Sequence, residues 1–175
     1  MKKILFAACL LTILVGCTST QKPAPLAGVP KLDVDRFMGQ WYVIASIPSK
    51  IYDGNAYNAT ETYERAERGI RITYSFNRGS SDGKERSFTA RAMITDPGLN
   101  TNWEVTYVTW PLQRNYRILH VEDDYSCVVI GQPSRKTAWI LGRQKSIDDA
   151  LYSDIILFLQ DRGYHVGKIR KVPHQ

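Results

Sequence analysis

Few residues in this 175-residue chain have the types and spacing that chemistry requires. His120, His165 and His174 stand far apart, with no His-x-x-x-His or Cys-x-x-Cys between them, so no metal site is expected. Cys127 has no histidine close in sequence to draw off its proton, and a lone cysteine in an apolar run reads as a small core hydrophobe. Asp123 and Asp124 adjoin in a turn-like stretch and suggest no acid–base pair. No Gly-x-x-x-x-Gly-Lys loop is present to cradle a phosphate. Neither an enzyme nor a cofactor follows from these residues. Cys17 differs from the rest, because it stands where a hydrophobic leader stops.

That leader begins with Met1-Lys2-Lys3 and continues from Ile4 to Val15 with Thr12 as its one polar residue. It is too short for a bilayer span, which needs ~20 residues, but it has the size of a secretory apolar region. It ends in Leu14-Val15-Gly16-Cys17. This resembles the bacterial lipobox, in which the chain is cut after Gly and the Cys becomes the first residue. The resemblance implies a diacylglyceryl thioether and an N-acyl chain on Cys17; the alternative is an ordinary secretion signal with an incidental cysteine. At ~0.8 kcal/mol per buried methylene, two or more acyl chains make a stable anchor where one is marginal. Thr18 rather than Asp follows Cys17, which by the same resemblance implies the outer membrane of a Gram-negative cell, the domain facing the periplasm. Residues 1–16 are thus expected to be a signal peptide and 17–32 an acylated Cys with a flexible tether. The Pro-rich stretch 18–30 would reach roughly 40 Å at ~3.1 Å per residue.

Removing residues 1–16 leaves 23 − 2 = 21 basic residues against 17 acidic ones, a net charge of +4. This mild excess comes with no basic helix or RNP-like motif, so no nucleic-acid partner is expected. Cleavage also removes Cys9, and acylation occupies Cys17. Cys127 is then the one remaining thiol, and no intramolecular disulfide can form.

From Gly39 onward, eight runs of β-branched and aromatic residues alternate with turn clusters. They are Gly39–Ile47, Asn58–Glu64, Gly69–Asn77, Arg86–Thr95, Asn102–Trp110, Tyr116–Val121, Ser126–Gly131 and Thr137–Arg143. In the third, Ile70, Ile72, Tyr74 and Phe76 alternate with polar residues, the mark of a sheet with one buried face. Eight short-linked strands predict an all-β fold, an antiparallel up-and-down barrel with room for side chains or one small ligand. The last two runs are apolar on both faces and need an outer cover. Ile147, Ala150, Leu151, Ile155, Phe158 and Leu159 supply it as a helix, with Ser146 as its expected cap and Gly163 as its stop. Val166–Val172 is expected to add a short final strand.

In such a barrel alternate turns share a rim. Gly39-x-Trp41, Asp124-Tyr125 and Arg143 therefore gather at the end with the tighter turns. These three blocks, in the flanks FMGQWYVIAS, DDYSCVVIG and AWILGRQ, resemble the signatures of the lipocalin family. Within that family they look like the bacterial outer-membrane lipoproteins and their apolipoprotein D relatives. The resemblance covers roughly residues 33–172, departing where Asp-Asp-Tyr replaces the common Thr-Asp-Tyr and where the disulfides common in eukaryotic members are missing. It implies a calyx in which Gly39, Trp41, Asp124, Tyr125 and Arg143 are structural, Trp41 closing the barrel with Arg143 across its indole face. It implies a lipocalin domain over 33–175.

With Trp41 inward, a period of two puts Ala45, Tyr74, Phe76, Phe88, Ala90, Tyr107, Tyr116 and Ile118 on the inner wall as expected ligand contacts. The expected ligand is a fatty acid or a lysophospholipid, stored or transported in envelope maintenance. A tetrapyrrole or another compact hydrophobe, or a barrel merely filled by its side chains in a structural envelope lipoprotein, remains open. So does a homodimer. Arg78, Lys84 and Arg86 fall on the opposite, open rim, where they either form a solvated surface or meet a lipid head group.

Overall fold

The computed structural model describes residues 25–48, 55–108 and 112–175. The leader, Cys17 and the first part of the expected tether lie outside the described residues.

The strands are β1 (Gly39–Ile47), β2 (Ala56–Arg65), β3 (Ile70–Arg78), β4 (Glu85–Ile94), β5 (Asn102–Tyr107), β6 (Gln113–Val121), β7 (Cys127–Gly131) and β8 (Ala138–Gly142). Each pairs antiparallel with the next, and β1 pairs with both β2 and β8, so the sheet closes into the expected eight-stranded barrel. Period-two sequences dictate this where one face is wet: Ile70, Ile72, Tyr74 and Phe76 of β3 are buried, and the residues between them are not. β7 and β8 are buried on both faces. Helix α1 (Val34–Phe37) precedes β1 and helix α2 (Asp149–Asp161) follows β8.

α2 covers the outside of the barrel, as expected, with Ile155 and Leu159 buried in a cluster that includes Val129 and Ile140. Its cap is Asp148 rather than Ser146: Asp148 Oδ1 accepts from Ala150 N at 2.8 Å and Leu151 N at 3.3 Å. A carboxylate at the N-terminus gains from the helix dipole as well as from the hydrogen bonds. α1 has no counterpart among the sequence expectations, since a single turn carries no helical period. Asp33 caps it by accepting from Asp35 N and Arg36 N.

Three bulges reverse side-chain facing. In β1 the register slips between Val43 and Ala45, in β6 between Ile118 and His120, and in β2 between Tyr57 and Thr60. One extra residue inverts the alternation beyond it. Trp41 and Val43 therefore point into the barrel, whereas Ala45 and Ile47 pack beneath α2. The inward placement of Ala45 is corrected accordingly. Tyr116 and Ile118 precede the second bulge and belong to the inner core.

The chain is part of the domain earlier than the expected tether allows. Leu26 and Leu32 are buried, and Val29 N donates to Ile118 O at 3.1 Å. A Cβ on Gly28 would fall 2.7 Å from Ile118 O, so this close approach requires glycine. Leu26, Val29 and Leu32, within the stretch expected as tether, are therefore held against the domain.

The tail differs from a simple ninth strand. After a 3₁₀ turn at Val166–Lys168, β9 (Arg170–Lys171) pairs with Ala45 and Ser46 of β1. The β1–β2 pairing covers Gly39 to Tyr42. Above it Val172 N donates to Ile44 O at 2.9 Å, His174 Nε2 to Val43 O at 2.9 Å, and Asn58 N to Pro173 O at 2.8 Å. The tail thus fills the seam where the upper halves of β1 and β2 part.

Candidate functional site

The closed end is an aromatic floor. Phe37 from α1 meets Trp41, Tyr63 and Trp103 at centroid distances of 5.5, 4.8 and 5.1 Å, the last two edge-on. Trp41 is fully buried, and its Nε1 donates to Phe37 O at 2.8 Å. The Arg143 guanidinium lies 3.7 Å from the Trp41 ring centroid. It donates to Gln40 O at 2.8 Å, Arg36 O at 2.7 Å and Met38 O at 2.9 Å, fastening α1 to the barrel. Gly39 has φ 96°, and a Cβ there would sit 3.4 Å from Arg143 Nη1. Tyr125 adopts φ 61°; its hydroxyl accepts from Asp33 N at 2.8 Å while Asp124 Oδ1 accepts from Ser126 N at 2.8 Å. All five motif residues thus build the floor or the turn beside it, and none lines the space above.

That space is a cavity of about 20 Å³, room for one or two waters. Ile72, Ala90, Val105 and Ile130 form its aliphatic wall, and Trp103 and Trp139 its indole wall. Tyr107 and Tyr116 face it as well, their hydroxyls 2.7 Å apart. Of the expected contacts, Ala90, Tyr107 and Tyr116 line this cavity. Tyr74 and Phe76 are buried on the inner face of β3, ring to ring at 5.2 Å, with Phe88 stacked 6.2 Å from Phe76 and half-buried. Ile118 is inward and buried but off the cavity.

Sequence reasoning missed Glu61. It lines the cavity at 5% exposure, and Tyr63 Oη donates to its Oε2. Among the described residues no lysine or arginine forms an ion pair with it. Burial pushes the carboxyl from its ordinary 4.5 up to about 7, against the lowering pull of the Tyr63 hydrogen bond. Burial, then the nearby Glu61 charge, raises the Tyr63 hydroxyl as well. The signal was available: Ala59, Glu61 and Tyr63 share one parity in β2, and Ala59 and Tyr63 are plainly core types.

At the open rim Arg78, Lys84 and Arg86 are exposed. Arg86 pairs with Phe76 and Arg114 with Val105, so both arginines lie on inward faces of their strands. Cys127 packs outside the wall, on the α2 side, and burial, reinforced by the Glu122 charge, pushes its thiol up to about 12. It has no thiolate to offer near neutrality and no access to the cavity.

A blind aromatic-floored barrel with a covering helix is the geometry that the three motif blocks announced, and a family model for the lipocalin-like domain matches residues 32–174. The chain belongs to the lipocalin family. This lipocalin is 30% identical to temperature-induced lipocalin-1 of Arabidopsis thaliana over 152 residues, 83% of this chain and 81% of that protein. It is 24% identical to the outer membrane lipoprotein Blc of Escherichia coli K12 over 166 residues, covering 93% and 90% of the two chains. Among solved structures, insecticyanin from the tobacco hornworm Manduca sexta matches the lipocalin with a TM-score of 0.66 at 16% identity, over 88% of this chain and 87% of that one. At that identity the likeness is one of fold.

Proposed function

We propose that this lipocalin stores or carries a fatty acid or a lysophospholipid while acylated Cys17 holds it at the outer membrane, facing the periplasm. The observation that carries the reading is a barrel blind at one end, apolar and aromatic within, and bearing two exposed arginines on inward faces at the other end. A C16–C18 chain offers ~0.8 kcal/mol per buried methylene, enough in gross terms for micromolar binding after association costs. The relatives named outer membrane lipoprotein support the address.

One observation favours a second reading, a structural envelope lipoprotein whose barrel is already full. The cavity of about 20 Å³ is smaller than an acyl chain, so a carrier must swing Tyr74, Phe76 or Phe88 aside. Native mass spectrometry of the protein purified from membranes separates the two. A co-purified acyl species and an N-terminal mass bearing acyl chains on Cys17 are expected. A barrel with nothing bound under conditions that keep the fold favours the structural reading, and a coloured ligand favours a tetrapyrrole carrier.

The rim supplies a prediction of its own. Exposed charge pairs contribute only ~0–1 kcal/mol, so rim cations tune head-group choice and on-rate more than affinity. Replacing Arg78, Lys84 and Arg86 together by Gln is expected to weaken anionic lysolipids a few-fold and to flatten the salt dependence of their binding. Titration of anionic and neutral lysolipids at two ionic strengths checks this. A wild-type protein that already binds both alike makes the rim an ordinary solvated surface.

A further inference from the structure

We infer that Glu61 anchors a protonated amine, so that the depth of this barrel takes the ammonium end of a hydrocarbon amine. The inference rests on the carrier reading in treating the interior as the ligand site, and adds a ligand class to it.

A carboxyl buried without a cation is destabilising, and its cross-strand partners, Trp41 on β1 and Tyr74 on β3, carry no positive charge. Its one hydrogen bond among the described residues comes from Tyr63. Among the described residues no positively charged donor reaches it. The same cavity is walled by the rings of Tyr63, Trp103, Tyr107, Tyr116 and Trp139, and aromatic faces attract an ammonium group, most strongly when it is desolvated. Room for one or two waters is also room for an ammonium head. A carboxylate head at this depth would meet like charge; an alcohol would gain one hydrogen bond and no charge complement.

The titratable groups facing Glu61 are Tyr63 from β2, its cross-strand partner Tyr74 from β3, Tyr107 from β5 and Tyr116 from β6; the cavity residues of β3, β4, β7 and β8 do not ionise. With Glu61 half-protonated near neutrality, an incoming ammonium displaces that proton to the solvent. Amine affinity must then rise with pH across neutrality, where the amine itself stays charged.

The full-length lipoprotein in phosphatidylcholine nanodiscs, titrated with decylamine, 1-decanol and decanoic acid, tests this through the fluorescence of Trp103 and Trp139. At pH 8 decylamine is expected to bind at least tenfold tighter than 1-decanol. That advantage should shrink at pH 6 and fall within twofold in Glu61→Gln. An advantage below twofold in the wild type, or one that survives in Glu61→Gln, overturns the inference. Should the variant fail to fold, the wild-type pH profile decides: decylamine affinity that is flat or falling from pH 6 to pH 8 overturns it. Binding of the alcohol and the acid without preference for the amine sinks this inference alone. Failure of all three ligands sinks it together with the carrier reading.

Discussion

Trp41→Ala is expected to lower the stability of the barrel by ~3–5 kcal/mol, the usual cost of truncating a large buried aromatic side chain. The indole is fully buried, touches Phe37 in the floor, and donates to Phe37 O. Its removal leaves a hole at the one place where α1, β1 and the Arg143 guanidinium meet. Arg143→Ala is expected to cost less. It loses a cation–π contact worth ~0.5–2 kcal/mol and the donors to Arg36, Gln40 and Met38 carbonyls, which solvent can partly replace at this rim. Urea unfolding with a constant slope reads both values. Neither change should alter ligand selectivity in protein that still folds, because neither side chain lines the cavity. A selective loss of binding at unchanged melting temperature would bring the floor into the site.

Glu61→Gln is expected to stabilise the protein at alkaline pH and to leave it nearly unchanged in acid. The folded carboxyl titrates at about 7 and the unfolded one near 4.5. Between those values the folded state binds more protons, so the wild type loses stability as pH rises and levels off above 7. At 1.36 kcal/mol per unit, that window corresponds to ~3 kcal/mol. Glutamine stays neutral and keeps an oxygen for the Tyr63 hydroxyl. The variant should therefore gain up to ~3 kcal/mol at pH 8.5 and close to nothing at pH 4, measured by urea unfolding at both. An equal difference at the two pH values would mean that Glu61 is solvated in the folded state. A gain confined to high pH would identify Glu61 as a residue that stability alone does not favour, as expected of a binding group.

Much of the architecture was legible along the chain because its causes are local. β1 begins and ends where its run of residues does, and the other seven strands lie within three residues of theirs. Where one face is wet, as in β3, the alternation of side chains names the buried face directly. The doubly apolar β7 and β8 demanded a cover, and α2 is that cover. The Gly39-x-Trp41, Asp124-Tyr125 and Arg143 blocks identified the family because their roles depend on turn position and barrel register, which spacing encodes.

The rest depended on contacts between distant segments. No local pattern distinguishes a bulge at Val43–Ala45 from continued alternation, so only the pairing of β1 with β8 turned Ala45 toward the helix. The early packing of Leu26 and Val29 against β6, and the tail wedged between β1 and β2, were likewise settled by surfaces remote in sequence. Glu61 shows the limit most clearly. Its parity placed it inward, but its character as a carboxyl titrating near neutrality comes from what the other strands surround it with. Among the described residues, seven strands bring aromatic and aliphatic side chains to that cavity and no cation. Period and propensity are properties of neighbouring residues, and a sequence states them outright; solvation and charge at a buried point are sums over the whole barrel, and folding alone performs the sum.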